Sequence, residues 1–253
     1  MNKKLSVIML SVFIFSFAVN AEDKHSRDEV IVSPSVSLID IPTAGVLDYS
    51  NFAVKTRFYN NGGVLAYMNV GVLNRMNLGA SFMVDRLIGS ESPVKFIRPE
   101  IQVKFRFYDG GYYLPAMALG YDGQGYYYDS KREEFMQKGK GLYLVGSKEV
   151  LLPNLMGNLG FNVPDFDDGY LYSFIGFDYN FEDKMTVILE YDNLFHSDYH
   201  SRFNLGVRVD ITPNFGLDLA LRNIGRNSRF PNGEKDKMER IVQLSTSFYL
   251  GSF

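Results

Sequence analysis

The 253-residue chain carries a formal net charge of −3 and contains no cysteine. The missing thiols exclude disulfides, thiolate metal sites, a thiol nucleophile and an acylated N-terminal cysteine. The slightly acidic balance gives no global signal for nucleic acid.

Lys3 and Lys4 precede an apolar run, Leu5 to Val19, that ends in Val19-Asn20-Ala21. This pattern predicts a secretory signal peptide over residues 1–21, cleaved near Ala21; the run is too short for a retained span, and polar sequence follows it. Beyond it, no window approaches the apolar length that a transmembrane helix needs. Residues 22–50 read as a periplasmic lead-in. Glu22–Glu29 is charged, and the more apolar Val30–Leu47 holds Pro34, Pro42 and Gly45, which permit only short extended pieces.

From Phe52 onward, apolar and polar residues alternate, the period of a β-strand. Phe52, Val54, Thr56 and Phe58 oppose Ala53, Lys55, Arg57 and Tyr59, and Asn60-Asn61-Gly62-Gly63 then predicts a turn with positive φ. Val64–Val72, Leu78–Val84 and Ile101–Phe107 continue the pattern. Further strands are expected at about Tyr113–Tyr121, Leu142–Glu149, Leu155–Val163, Tyr170–Tyr179 and Met185–Tyr191. The clearest signal is the Phe203–Leu221 hairpin, broken at Thr212-Pro213-Asn214, and a last strand is expected over Ile241–Leu250. Short turns alternate with longer polar segments at Arg86–Pro99, Tyr126–Lys140, Pro164–Gly169, Asp192–Ser201 and Asn223–Arg240.

These features predict an all-β fold: an up-and-down antiparallel transmembrane β-barrel of about 12 strands over residues 51–253. Its short turns would be periplasmic and its longer loops extracellular. Strand length, an even count that leaves no open edge, and apolar faces without charge all favour lipid over a soluble core. The 17 Tyr and 21 Phe crowd strand ends, as in interfacial girdles. The chain ends in Phe253, an aromatic terminus of the kind that bacterial barrel-assembly machinery reads. The expected location is the outer membrane of a Gram-negative cell, in contact with lipid and lipopolysaccharide.

Several stretches resemble the YjbH family of outer-membrane proteins associated with exopolysaccharide production. They are Ile41-Pro42-Thr43-Ala44-Gly45, Asn69-Val70-Gly71 through Gly79-Ala80-Ser81, Leu87-Ile88-Gly89-Ser90, Ala118–Gly125 and Lys140-Gly141-Leu142-Tyr143 through Ser147-Lys148. The resemblance covers roughly Ser35 to Lys148 and implies a β-barrel that assists exopolysaccharide export, with polysaccharide export proteins as partners. Family members are often longer and described as lipoproteins, whereas this chain fits one barrel and lacks cysteine.

The face opposite the apolar one supplies Lys55, Arg57, Asp85, Glu100, Lys104, Arg106, Glu190, Arg208, Asp210, Asp218 and Arg222. Two readings of this lumen stay open: a mutually paired network that fills it, or a polar narrow channel. No catalytic residue, metal site or cofactor is expected. An outer-membrane hydrolase would have to use His196 and His200, with Ser197, Asp198 and Ser201 beside them in one loop. A soluble periplasmic barrel binding an apolar ligand is the remaining alternative.

Overall fold

The structure is a computed structural model that describes residues 35–90, 93–166, 170–194, 201–230, 233 and 235–252. The signal peptide, Phe253 and the His196–His200 loop lie outside the described residues.

Alternation of side chains dictates strands, and the strands close on themselves. In chain order they are β1 (Asn51–Tyr59), β2 (Gly63–Leu73), β3 (Met76–Asp85), β4 (Lys95–Tyr108), β5 (Ala116–Asp122), β6 (Tyr126–Asp129) and β7 (Glu134–Gln137). They continue as β8 (Gly141–Glu149), β9 (Leu155–Val163), β10 (Tyr172–Phe181), β11 (Met185–Asp192), β12 (Arg202–Thr212), β13 (Phe215–Arg229) and β14 (Lys235–Tyr249). Twelve of them form one antiparallel barrel, closed where β1 pairs with β14 in the register Phe52↔Phe248 and Thr56↔Leu244. β5 pairs directly with β8, and β6 and β7 form a separate hairpin between them. Asn61 (φ 62°) and Gly62 (φ 68°) supply the positive φ expected of the β1–β2 turn.

Several boundaries differ from the alternation. β4 begins at Lys95, because a register shift opposite Ser81–Met83 absorbs Arg98-Pro99 and keeps both Ile97 and Glu100 inward. Proline has no N–H to give a ladder, so a bulge accommodates it. Asn223–Arg240, expected as a polar loop, is instead largely strand: β13 and β14 extend beyond the barrel rim with Asn227↔Lys237 and Arg229↔Lys235 paired. Tyr126–Lys140, also expected as a loop, contains the β6–β7 hairpin.

The barrel is inverted relative to a soluble domain. Leu189, Leu205 and Leu219 are 40%, 38% and 50% exposed, whereas their chain neighbours Glu190, Asn204 and Asp218 are 1%, 0% and 4% exposed. The buried apolar residues of the interior come largely from two insertions. Residues 35–50, expected as a lead-in, run inside the barrel as a finger. Leu38, Ile39, Ile41 and Ala44 of the finger pack against Ile188, Ala220 and Ile241 on one side and Ala118, Val145 and Phe174 on the other. From the long-loop end, Tyr126 and Phe135 of the β6–β7 hairpin pack on Leu65, Met83 and Ile97.

Candidate functional site

The site is the lumen and the finger that occupies it. Ser37 and Pro42 bridge across the finger, and Leu38 N donates to Ile41 O at 3.0 Å, so Leu38–Ile41 is a tight turn with Asp40 at its tip. Such a turn directs successive backbone N–H groups one way, which suits an anion. Glu190 on β11 is that anion. Its Oε1 accepts from Ile39 N (2.6 Å), Asp40 N (2.9 Å) and Ile41 N (3.0 Å), while Asn204 Nδ2 donates to its Oε2 at 2.8 Å.

The side chain of the tip points into the opposite charge. Asp40 Oδ1 lies 2.8 Å from Arg57 Nη1, and Asp40 Oδ2 lies 2.6 Å from Arg222 Nε. Arg57 also donates to Ile39 O, Gln243 Oε1 and the Tyr126 hydroxyl. Arg222, fully buried, pairs with Glu239 Oε2 at 2.5 Å and sits over the Tyr126 ring at 3.8 Å from its centroid. Burial alone would raise the Asp40 carboxyl, but Arg222, Arg57 and Arg202 outweigh it and hold the group well below the usual carboxylate range. Finger tip, barrel wall and the β6–β7 hairpin therefore meet in one charged knot.

Neutral groups also hold the stem of the finger. Ala44 N donates to Ser147 Oγ at 2.8 Å, and a chain of hydrogen bonds runs on through Asn158 to Asp178. Leu47 N donates to Asn77 Oδ1 at 3.1 Å. Gly176 and Gly206 make room on the wall: a Cβ at these positions would lie 2.6 Å from Leu38 Cδ1 and 2.8 Å from Ile39 Cδ1.

The predicted inward residues distribute as follows. Arg57, Glu190 and Arg222 converge on the finger tip. Arg208 forms a bidentate pair with Asp218 at 2.9 and 3.0 Å. Lys55 Nζ donates to Ser37 Oγ, and Lys104 Nζ to Val36 O and Gly45 O. Asp85 accepts from the Tyr59 hydroxyl, Glu100 accepts from Arg98 Nε at 2.7 Å, and Arg106 lies 3.0 Å from Asp109. Asp210 is exposed at the short-turn end. Beside the finger remains a cavity of about 290 Å³, whose walls run from Asp210 and Ser245 to Lys138, Lys140 and Arg202.

Other lumen residues were not among the expected ones. Asp40 is the chief of them. Lys140, Asp192 and Arg202 form a second buried network, with Asp192 between the two cations. Asp192 and Arg202 are register partners across β11 and β12. Carrying the alternation one step outward from Glu190 and Asn204 would have found both.

No protein-family model and no curated protein matches the chain. Solved structures do. The KdgM porin is similar over 78% of this chain and 99% of its own, with 11% identity and a TM-score of 0.50. An outer-membrane channel from Pseudomonas putida F1 aligns over 80% of this chain and 97% of its own, with 11% identity and a TM-score of 0.47. At such identities the likeness speaks for the fold. The shared feature is the closed antiparallel barrel.

Proposed function

We propose that the chain is a non-enzymatic outer-membrane channel of narrow bore whose N-terminal finger occupies the lumen. The observation that carries this reading is the inversion of the barrel, with apolar side chains outside and charged ones within. Exposed leucines and phenylalanines gain free energy in hydrocarbon, and a closed barrel leaves no unpaired edge there. The same inversion counts against a soluble barrel for an apolar ligand, because this lumen offers ion pairs rather than an apolar cavity. In the membrane the short-turn end, where the finger enters, faces the periplasm, and the long-loop end faces outward.

The space beside the finger is at the small end of ligand cavities, so it suits a small solute. Export of a glycan chain, the role implied by the resemblance to the YjbH family, requires the finger to leave. The Ile41–Gly45 motif of that resemblance is the buried stem of the finger, which ties the motif to the plug rather than to a surface partner. Contacts with lipopolysaccharide accompany the outer-membrane location. The hydrolase reading rests on His196 and His200, and no observation favours it.

Two measurements test the proposal. Fractionated cells should carry the protein in the outer membrane, and the unheated, detergent-extracted form should migrate faster on a gel than the heated one. Full solubility after lysis without detergent would overturn it. Reconstituted protein should give small conductance steps in planar bilayers. Silence at every voltage, with the finger present and with it deleted, would also overturn it.

A further inference from the structure

Three cations converge on the finger at Val36 and Ser37. Lys55 Nζ donates to Ser37 Oγ at 2.6 Å, Lys104 Nζ to Val36 O at 2.6 Å and Gly45 O at 2.9 Å, and Arg208 Nη2 to Ser37 O at 3.3 Å. Only Arg208 is neutralised, by Asp218. Lys55 and Lys104 make no ion pair among the described residues; uncharged oxygens alone hold them.

None of the carboxylates around the same cavity forms an ion pair with either lysine among the described residues, although Asp122 and Asp218 act on them through space. Asp40 is engaged by Arg57 and Arg222, and Asp218 by Arg208. Asp122 accepts from Gln124 N at 2.9 Å and Gln102 Nε2 at 3.3 Å, and Asp210 stands exposed at the rim. Burying an ammonium without counter-charge is costly, and two of them bound to adjacent residues repel each other.

What faces them is open space. Both lysines line the cavity of about 290 Å³, together with Asn77 and Gln102. Asn77 is the register partner of Lys104 and is 3% exposed. Its Oδ1 is taken by Leu47 N, and its Nδ2 has no acceptor. Gln102 Oε1 is likewise an unfilled acceptor. Two lysine amino groups thus line the cavity, and on its lining residues Asn77 Nδ2 and Gln102 Oε1 are buried without a partner.

We propose that this cavity binds a compact oxyanion, a carboxylate- or phosphate-bearing small solute, with Lys55 and Lys104 as its ion-pair partners and Asn77 Nδ2 as a further donor. The anion would give the lysines ion pairs in place of bonds to neutral oxygens alone. The proposal rests on the channel reading for the solute's route into the lumen, and binding is read separately from conduction.

The test is calorimetric titration of the purified full chain in detergent at low ionic strength, with succinate, inorganic phosphate and glucose. Saturable uptake of succinate or phosphate, and none of glucose, is expected. Succinate alone assigns a carboxylate solute, phosphate alone a phosphorylated one, and both together the shared charge. The double variant Lys55→Met/Lys104→Met should bind at least about tenfold more weakly, a factor worth about 1.4 kcal/mol, while keeping the fast gel migration of the unheated barrel. If the double variant does not fold, Lys55→Gln and Asn77→Asp carry the same comparison. No saturable uptake of either anion up to about 10 mM, a range in which even millimolar affinity registers, would overturn the proposal. So would equal affinity in the variants, or glucose binding as well as succinate. Binding without conductance would sink the channel reading and leave the site standing; conductance without binding would do the reverse.

Discussion

Asp40 and Arg222 meet at 2.6 Å inside the lumen, although 182 positions separate them in the chain. The pair joins the finger tip to the β13 wall, and Arg57 on β1 completes it from the other side at 2.8 Å. A buried ion pair is weak evidence of net stabilisation, because desolvation offsets most of the attraction. Removing one partner is a different matter, since the remaining charge is then stranded.

Asp40→Ala strands Arg57 and leaves Arg222 with Glu239 alone. The expected loss is about 3 kcal/mol, the lower part of the range for a broken buried pair. It should show as a lower unfolding midpoint in detergent and as faster protease cutting within residues 35–50. Unchanged values for both would mean that the finger is held by its apolar contacts.

Glu190→Ala should weaken the same docking by another route. It leaves the N–H groups of Ile39, Asp40 and Ile41 without their shared acceptor, at a cost of about 1–3 kcal/mol for each group that water does not reach. Glu190→Gln keeps an acceptor oxygen and should lose less than half as much in a denaturant titration. A Gln variant as damaged as the Ala variant would show that charge, not hydrogen bonding, is what the turn requires.

Docking should also respond to acid. The folded-state value of Asp40 lies below its ordinary value of 3.8, so its contribution is present above that pH and is lost as pH falls below it. Protection of the finger from protease should decline as pH falls below about 4. Asp40→Asn should lack this decline, and an equally steep fall in the variant would assign it to other carboxylates.

Gly176 and Gly206 leave the wall concave where Leu38 and Ile39 lie. An alanine at Gly176 crowds only the far end of Leu38 and should be tolerated, whereas at Gly206 it also comes 3.3 Å from Ala220 Cβ and should cost more. Valine should be tolerated at neither: Gly176→Val or Gly206→Val is expected to cost about 1–3 kcal/mol by overpacking and to raise conductance by displacing the tip. A valine variant with the parent's conductance and unfolding midpoint would show that the finger can shift aside.

The wall was legible in the sequence because each strand reports its two faces through a period of two, as Phe203–Leu221 does most plainly. The inward positions Arg57, Glu190, Arg208, Asp218 and Arg222 followed from the same period. The finger was not legible. Ser37–Ala44 has no periodicity of its own, and its Leu38-Ile39-Asp40-Ile41 turn is shaped by Glu190, some 150 residues away. The β6–β7 hairpin was hidden for a related reason: its strands are four residues each, and Tyr126-Tyr127-Tyr128 reads equally well as an interfacial girdle. Long-range packing, rather than local preference, decides both segments.

The most direct test is single-channel conductance in planar bilayers of the full chain and of a variant lacking residues 35–46, both shown by gel migration to be folded barrels. Small steps from the full chain and several-fold larger ones from the deletion would match a lumen occupied by its own finger. Equal conductance from the two would contradict it.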